Sequence, residues 1–321
     1  MTGSQAARPA PNRWPLVAGV VALGVVAAVV AFVLLRPNTQ NSGAGPTPSP
    51  TATLEPTPTP TLNPDLLGNR LTVLLLGLDT NQTRRDRGRG INADTIMLAS
   101  INADQSEITL ISIPRDTVDV PLPDGTTWMQ KINAIFSVNG PQGMVDAVES
   151  LLQIEIDAYV QVDMGDHELL VDAVGGVEVN PQAPLVDEHL DLDMPAGRQT
   201  IDGETATDYV RTRFDTDYSR AARQQEVILY LVSRLVDPET DIDIPQLLDG
   251  LFSFETDLPL DQMPTLIEIA KRAQTANVTD QVFNPQDGFI VDEGDFGDGR
   301  GYILIPNIEA MRAFAAEHLA D

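Results

Sequence analysis

The run Leu71–Leu78 constrains the fold more than any other stretch of this 321-residue chain. It is apolar apart from Thr72 and Gly77, and Asp79 follows it directly. A short apolar run without alternation is typical of a β-strand whose two faces are both buried. Such a strand needs a sheet that is covered on both sides, so the run favours a layered α/β fold.

Strand and helix patterns are mixed through the rest of the chain. Thr95–Ile101 and Ile108–Ile113 predict two strands, and the polar turn Asn102–Ser106 between them suggests a hairpin. Ala158–Asp163 and Gly301–Ile305 predict two more strands. The predicted helices are Lys131–Phe136, Gly143–Leu152, His167–Val174, Gly203–Arg213, Tyr218–Val236, Asp261–Gln274 and Ile308–Leu319. We therefore predict an α/β domain with a mixed central β-sheet sandwiched between helices, an αβα arrangement.

Residues 15–35 form an uninterrupted run of apolar residues and glycines. At about 1.5 Å per residue the run spans roughly 30 Å, the thickness of a bilayer's hydrocarbon core. No Ala-x-Ala-like site follows it, so the pattern favours an uncleaved transmembrane helix over a signal peptide. Arg8 and Arg13 precede the run, whereas only Arg36 follows closely, which predicts that residues 1–14 are cytoplasmic. We expect a single-pass protein of the cell membrane whose main domain is extracytoplasmic.

The next segment, residues 36–65, is rich in Pro, Thr and Ser and has little apolar content. This composition predicts a semi-extended, disordered linker with polyproline II character. The linker would act as a stalk between the membrane and a domain formed by residues 66–321.

The composition excludes several classes of protein. A net charge of -27 and a pI near 4.2 argue against a nucleic-acid binder. The absence of cysteine excludes thiol catalysis, disulfides and zinc–thiolate sites. No His-Glu-x-x-His and no Gly-x-Ser-x-Gly occurs, so zincin and serine-hydrolase functions lack their motifs. Any metal would be held by oxygen atoms, which favours magnesium, manganese or calcium.

Two aspartates stand at the ends of neighbouring predicted strands. Asp79 ends the first strand and Asp94 opens the second, and two carboxylates with substrate phosphates are a common magnesium shell. Taken alone, strand-end aspartates are more often turn formers. Arg115 and Lys131 follow the third strand, and each taken alone is more often a solvated surface charge.

Four arginines lie within Tyr209–Glu226 of this acidic chain. Guanidinium groups present planar forks of donors that match phosphate oxygens. The alternative is a helix face with salt bridges to nearby acids. Arg220 and Gln224 are spaced i,i+4 and therefore share a helix face, and Arg223 is close to both in sequence.

Taken in order, these and other short motifs resemble the pattern of the LytR-CpsA-Psr family. The motifs are Leu76–Asp79, Ala93–Met97, Ser112–Asp116, Lys131–Asn133, Val174–Glu178, Ala196–Gly197 with Ile201–Gly203, Tyr209–Arg213 and Asp217–Gln225. The resemblance covers about residues 70–235, and the predicted anchor and stalk agree with it. Each motif is weak alone, but their shared order makes a chance resemblance very improbable.

The resemblance implies a specific chemistry. Proteins similar to this one are membrane-anchored, outward-facing phosphotransferases that move a glycopolymer from a polyprenyl diphosphate carrier to a peptidoglycan hydroxyl, releasing polyprenyl phosphate. By that similarity Asp79 and Asp94 hold magnesium, or manganese, on the diphosphate. The residues with implied catalytic roles are Asp79, Asp94, Arg115, Arg211 and Arg213. The residues implied to bind the diphosphate are Arg115, Lys131, Arg211, Arg213, Arg220 and Gln224.

The chain departs from the family's usual pattern at two positions. Asn92 stands where the family usually has an arginine, and Ser219 stands where it usually has a glycine. Arg87 or Arg89 is an alternative phosphate donor for the first position. The departures leave two other functions open, a non-catalytic envelope scaffold that binds polyprenyl diphosphate and a polyprenyl diphosphate hydrolase.

Overall fold

The computed structural model describes residues 62–78, 91–163, 166–212, 216–236, 240–251 and 254–319. The strands in these ranges are β1 (Leu71–Leu78), β2 (Ala93–Ile101), β3 (Glu107–Ser112), β4 (Val120–Pro121), β5 (Thr127–Trp128), β6 (Ala158–Asp163), β7 (Val177–Val179), β8 (Leu185–Asp187), β9 (Leu192–Met194), β10 (Gln199–Ile201), β11 (Glu255–Thr256), β12 (Asn277–Val282), β13 (Ile290–Asp295) and β14 (Tyr302–Pro306). The α-helices are α1 (Pro64–Gly68), α2 (Ile135–Leu152), α3 (Asp166–Ala173), α4 (Gly203–Arg211), α5 (Asp217–Val236), α6 (Ile244–Leu251), α7 (Met263–Arg272) and α8 (Ile308–His318).

The central sheet has six strands in the order β11-β6-β1-β2-β3-β12. Strand β2 pairs antiparallel with both β1 and β3, so the predicted hairpin is confirmed. Strand β1 pairs parallel with β6, and β3 pairs parallel with β12. The sheet is therefore mixed, as the sequence predicts.

Both faces of β1 are buried, and alternate side chains serve two different cores. Leu74 and Leu76 pack on one face in a cluster with residues of α2 and α8. Leu71 and Val73 pack on the other face with residues of α7. Full burial of one such side chain is worth about 1.5–3 kcal/mol relative to exposure. The apolar run therefore joins the two helical layers to the sheet.

A third core lies beside the sheet and orients helices α4 and α5. It is built from α3 to α6 and the short strands β7 to β10, with Tyr209 and Val227 almost fully buried. Helix α5 also contributes Leu229 to the core under β1. Because α5 packs in two cores, its direction relative to the sheet is set on both sides.

Several elements differ from the sequence-based expectation. The two helices expected between Lys131 and Leu152 form a 3₁₀ turn, Ile132–Ala134, that leads into α2, which is kinked at Gly140 with φ 67°. Helix α4 ends at Arg211 instead of Arg213, because Thr212 leaves the helical conformation, with φ -56° and ψ 138°.

Other elements have no counterpart in the predicted set. Strands β7 to β10 have three residues each, too few for a periodic signal. Strands β12 and β13 are missed because their exposed polar residues hide the strand pattern. Helix α1 begins at Pro64, two residues before the expected start of the domain, and Asn63 caps it by accepting from the backbone N–H groups of Asp65 and Leu66.

The proposed anchor at residues 15–35 and most of the linker lie outside the described residues. Within the part of the chain that is described, none of the helices has the length and apolar character needed to cross a bilayer.

Candidate functional site

The strand order brings the predicted site residues to one end of the sheet. Leu78, at the end of β1, pairs with Ala93, at the start of β2. Ser112, at the end of β3, pairs with Met97 of β2. Because β2 runs antiparallel to both neighbours, its first residues lie beside the last residues of β1 and β3. Asp94 therefore lies close to the segment that carries Arg115.

Asp94 accepts hydrogen bonds on both carboxylate oxygens. Arg115 donates from Nη1 to Oδ2 at 2.5 Å, and Asn133 donates from Nδ2 to Oδ1 at 3.2 Å. The side chains of Arg115 and Asp94 are only 11% and 13% exposed, so the ion pair is poorly screened by water. Asn133 is a site residue that was not predicted from the sequence.

A second buried carboxylate, Asp116, lies between two predicted phosphate ligands. Its Oδ1 lies 2.8 Å from Nζ of Lys131, and its Oδ2 lies 3.7 Å from Nε of Arg115. Asp94, Arg115, Asp116 and Lys131 thus form a chain of alternating charge. Asp116 was not predicted as a site residue from the sequence, although its position directly after a candidate arginine was a signal for it.

Helix α5 forms the opposite wall of a cleft above these residues. The space between the two walls amounts to about 240 Å³, a volume that includes open solvent. Its lining residues are Asp94, Thr95, Ile96, Ser112, Ile113, Pro114, Arg115, Arg220, Ala221 and Gln224. The structure therefore brings four predicted site residues together, namely Asp94, Arg115, Arg220 and Gln224. Lys131 reaches this group through Asp116.

A buried hydrogen bond sets the distance across the cleft. Gln225 donates from Nε2 to Oγ of Ser112 at 2.9 Å, and both residues are buried. This contact links α5 to the end of β3, next to Gln224 on one wall and Arg115 on the other. A buried polar pair of this kind is costly to break, because each partner would be left unsatisfied.

Arg223 serves the structure of the α4–α5 region. Its guanidinium donates from Nε to the carbonyl of Tyr209 at 2.8 Å and from Nη2 to the carbonyl of Thr212 at 2.7 Å. It also lies 5.6 Å from the centre of the Tyr209 ring, whose hydroxyl donates to Glu226. The carbonyls at the end of a helix have no partner within the helix, so Arg223 supplies one from α5. The four clustered arginines therefore do not share one role.

The remaining residues predicted to bind phosphate or metal are not found at the cleft among the described residues. Arg211 lies exposed at the end of α4 and does not line the cleft. Burial of Asp208 raises the pKa of its carboxyl, and the nearby charge of Arg211 opposes this shift. Asp79, Arg213 and the two loop arginines, Arg87 and Arg89, lie outside the described residues, so their assignments stay predictions.

The described residues alone do not form a metal centre. Within those ranges, no cluster of three or more histidine or acidic side chains is arranged to hold a metal ion. Asp94 offers carboxylate oxygens, the ligand type that magnesium prefers, but Arg115 and Asn133 already contact them. The donor set fits magnesium only if Asp79 and phosphate oxygens of a ligand complete it.

The layered fold and the cleft define an α/β protein with an arginine-lined cleft at one end of a mixed sheet. The chain belongs to the LytR_cpsA_psr family, whose sequence model matches residues 46–303. This confirms the family resemblance and extends it past the motif core at residues 70–235.

Two relatives and one solved structure illustrate the similarity. The chain is 34% identical over 198 residues to the polyisoprenyl-teichoic acid–peptidoglycan teichoic acid transferase TagU of Enterococcus faecalis, covering 60% of this chain and 63% of that protein. It is 40% identical over 182 residues to the probable cell wall biosynthesis protein LcpB of Corynebacterium glutamicum, covering 52% and 42% respectively. The chain thus spans less than two thirds of either relative. The crystal structure of Bacillus subtilis TagV shares the fold, with a TM-score of 0.62 at 24% identity, covering 78% of this chain and 98% of that one.

Proposed function

We propose that this protein is a membrane-anchored, outward-facing phosphotransferase. It moves a glycopolymer from a polyprenyl diphosphate carrier to a hydroxyl of peptidoglycan and releases polyprenyl phosphate. The observation that carries the proposal is the cleft in which Arg115 and Arg220 face Asp94, in a chain whose net charge is -27. A local concentration of guanidinium groups in so acidic a protein is suited to an anionic ligand. The name of the TagU relative supports the same class of reaction.

The cationic side chains would bind the diphosphate and neutralise its charge. Arg115 and Arg220 offer forked donors from opposite walls of the cleft, and Gln224 adds an amide beside Arg220. Lys131 adds a further cation, and Arg211 and Arg213 would approach from the α4 side. Catalysis of phosphoryl transfer depends mainly on positioning and charge stabilisation, so this set of residues suits the reaction.

Arg115 would change partners when the diphosphate binds. Its Nη1 donates to Asp94 in the structure, and a phosphate oxygen is a competing acceptor of the same geometry. Transfer of this donor to the phosphate would leave Asp94 with an accessible oxygen. Asp94 and Asp79 would then hold a magnesium or manganese ion together with phosphate oxygens. When bound, that ion would supply further neutralisation of charge on the leaving phosphate.

The acceptor hydroxyl would attack the sugar-side phosphorus, and the bond to the lipid phosphate would break. The cleft opens at the end of the sheet, and the proposed anchor at residues 15–35 would keep it near the membrane that holds the carrier. The stalk at residues 36–65 would set the height of the domain above that membrane.

The test uses the full chain in detergent, a polyprenyl diphosphate glycan, peptidoglycan fragments and magnesium. Glycan joined to peptidoglycan, with release of polyprenyl phosphate, supports the proposal. Release of free glycan alone would indicate a hydrolase, and tight binding without either product would indicate a scaffold.

A pair of arginine variants makes the test specific for the cleft. Arg220→Gln should lower transfer on the order of a hundredfold, because it removes a charged donor from the proposed transition-state site. Arg198→Gln is the matched control, since Arg198 is exposed and pairs with Glu178 on the β7–β10 sheet. Equal activity of both variants would refute the role of the cleft.

A further inference from the structure

Asp116 contacts Arg115 and Lys131, two of the cationic residues that would bind the diphosphate in the proposed function. It is 6% exposed, and its two oxygens face Lys131 at 2.8 Å and Arg115 at 3.7 Å. A buried carboxylate with a cation at each oxygen is well placed to hold the two cations in a defined relation.

The backbone around Asp116 is held from two sides. On one side, Leu304 of β14 donates to the carbonyl of Asp116, and Val118 donates to the carbonyl of Leu304, each at 3.0 Å. On the other side, Ile132 donates to the carbonyl of Thr117 at 2.8 Å, next to Lys131. The carboxylate therefore starts from a fixed backbone position at the junction of three chain segments. This also gives the C-terminal hairpin β13–β14, to which the sequence analysis assigned no chemistry, a connection with the cleft.

The two carboxylates lie against different nitrogens of Arg115. Asp94 accepts from the terminal Nη1, whereas Asp116 faces Nε, which lies nearer the stem of the side chain. A phosphate can replace Asp94 at Nη1 while Asp116 keeps its place beside Nε. Asp116 is thus the contact that can persist through binding.

We propose that Asp116 is a positioning residue of the transfer reaction. It holds the guanidinium of Arg115 and the ammonium of Lys131 at a fixed separation, so that both meet the diphosphate in the geometry of the transition state. This inference rests on the proposed function. It adds that a residue which does not itself touch the substrate aligns the two cationic side chains that do.

The charge of Asp116 makes a specific signature. Its removal makes the net charge of the site more positive by one, so binding of the anionic diphosphate should not weaken. Alignment is lost at the same time, so the transfer step should slow, because small misplacements of catalytic groups are costly. A residue that only supports the fold would not separate binding from transfer in this way.

The test measures kcat, KM and the Kd for polyprenyl diphosphate on the full chain in detergent. Asp116→Asn should lower kcat about tenfold or more, with Kd unchanged or tighter. Asp119→Asn is the matched control, because Asp119 also pairs with an arginine, Arg300 at 3.1 Å, but Arg300 does not line the cleft as Arg115 does. The control should keep wild-type constants. Unchanged kcat for Asp116→Asn, or a Kd weakened about tenfold, would overturn the inference.

A second variant decides the question if Asp116→Asn does not fold. Asp116→Glu keeps the charge and moves the carboxylate by one methylene, so it should lower kcat and leave Kd near the wild-type value. Full activity of Asp116→Glu in that case would overturn the inference. A wild-type protein that binds the diphosphate but transfers nothing would refute the proposed function, whereas normal transfer with insensitive Asp116 variants would refute only this inference.

Discussion

Replacement of Arg223 by methionine should destabilise the domain, although the residue lies in the arginine-rich segment predicted to bind phosphate. Arg223 is 6% exposed, and its guanidinium donates to the carbonyls of Tyr209 and Thr212. Methionine is similar in length and apolar, so it fills the space without supplying either hydrogen bond. Both carbonyls would lose a charged donor in a buried region.

The expected loss can be worked out from these contacts. Two hydrogen bonds from a charged donor are worth about 1.5–3 kcal/mol each. Methionine in place of the already buried, partly apolar arginine stem returns only about 1–2 kcal/mol. The difference spans about 1–5 kcal/mol, and we take its central part, about 2–4 kcal/mol, as the net loss because such terms are not fully additive. For a domain of this size each kcal/mol lowers Tm by about 2–4 °C, so Tm should fall by about 5–15 °C.

The assay is thermal denaturation followed by far-UV circular dichroism, in one detergent and one buffer for all variants. Arg211→Met is the matched control, because Arg211 is an exposed arginine at the end of α4, two residues after Tyr209. Its Tm should stay within about 2 °C of wild type, as is usual for surface substitutions. If Arg223→Met keeps the wild-type Tm, or if Arg211→Met lowers Tm equally, the division between structural and ligand-binding arginines is wrong.

Three further predictions test the proposed metal ligand Asp94, the partly buried carboxyl of Glu168 and the predicted membrane anchor. Asp94→Ala should lower magnesium-dependent transfer on the order of a hundredfold, and near-normal turnover would contradict the metal assignment. Burial, and next the charge of Asp172, raises the pKa of the Glu168 carboxyl above its ordinary value of 4.5. The contribution of Glu168 to stability is therefore complete below pH 4.5, and it is lost as the pH rises through the higher pKa of the folded state. Glu168→Gln should therefore raise Tm at about pH 7 but not at about pH 4, and an equal change at both pH values would contradict this. Protein extracted from membranes should keep residues 15–35 at its N-terminal end, and a mature start beyond Leu35 in N-terminal sequencing would refute the uncleaved anchor.

The sheet could be predicted well where its residues are apolar, and poorly where they are polar. Strand β1 and the β2–β3 hairpin follow from local runs of apolar residues, because strands buried on both faces are mostly apolar. Strand β12 escaped prediction because its residues are half-buried or exposed. It is a strand only because β3 offers an unpaired edge beside it.

The candidate site was predicted in part, for a similar reason. Asp94, Arg115, Arg220 and Gln224 were identified from sequence motifs and line one cleft. Asp116 was missed, since the motif places it beside Arg115 but does not reveal that Lys131, which is remote in sequence, meets its other carboxylate oxygen.

The sequence by itself determined the types of the main elements, the acidic character of the chain and the family to which its motifs belong. These properties depend on residue type and on spacing along the chain, which are local. Only the tertiary structure decided which arginine lines the cleft and which one stabilises the fold. Arg220 and Arg223 are three residues apart on one helix, yet one lines the cleft and the other holds the end of α4. That difference arises because α5 packs between two cores, and the packing determines which neighbour each side chain meets.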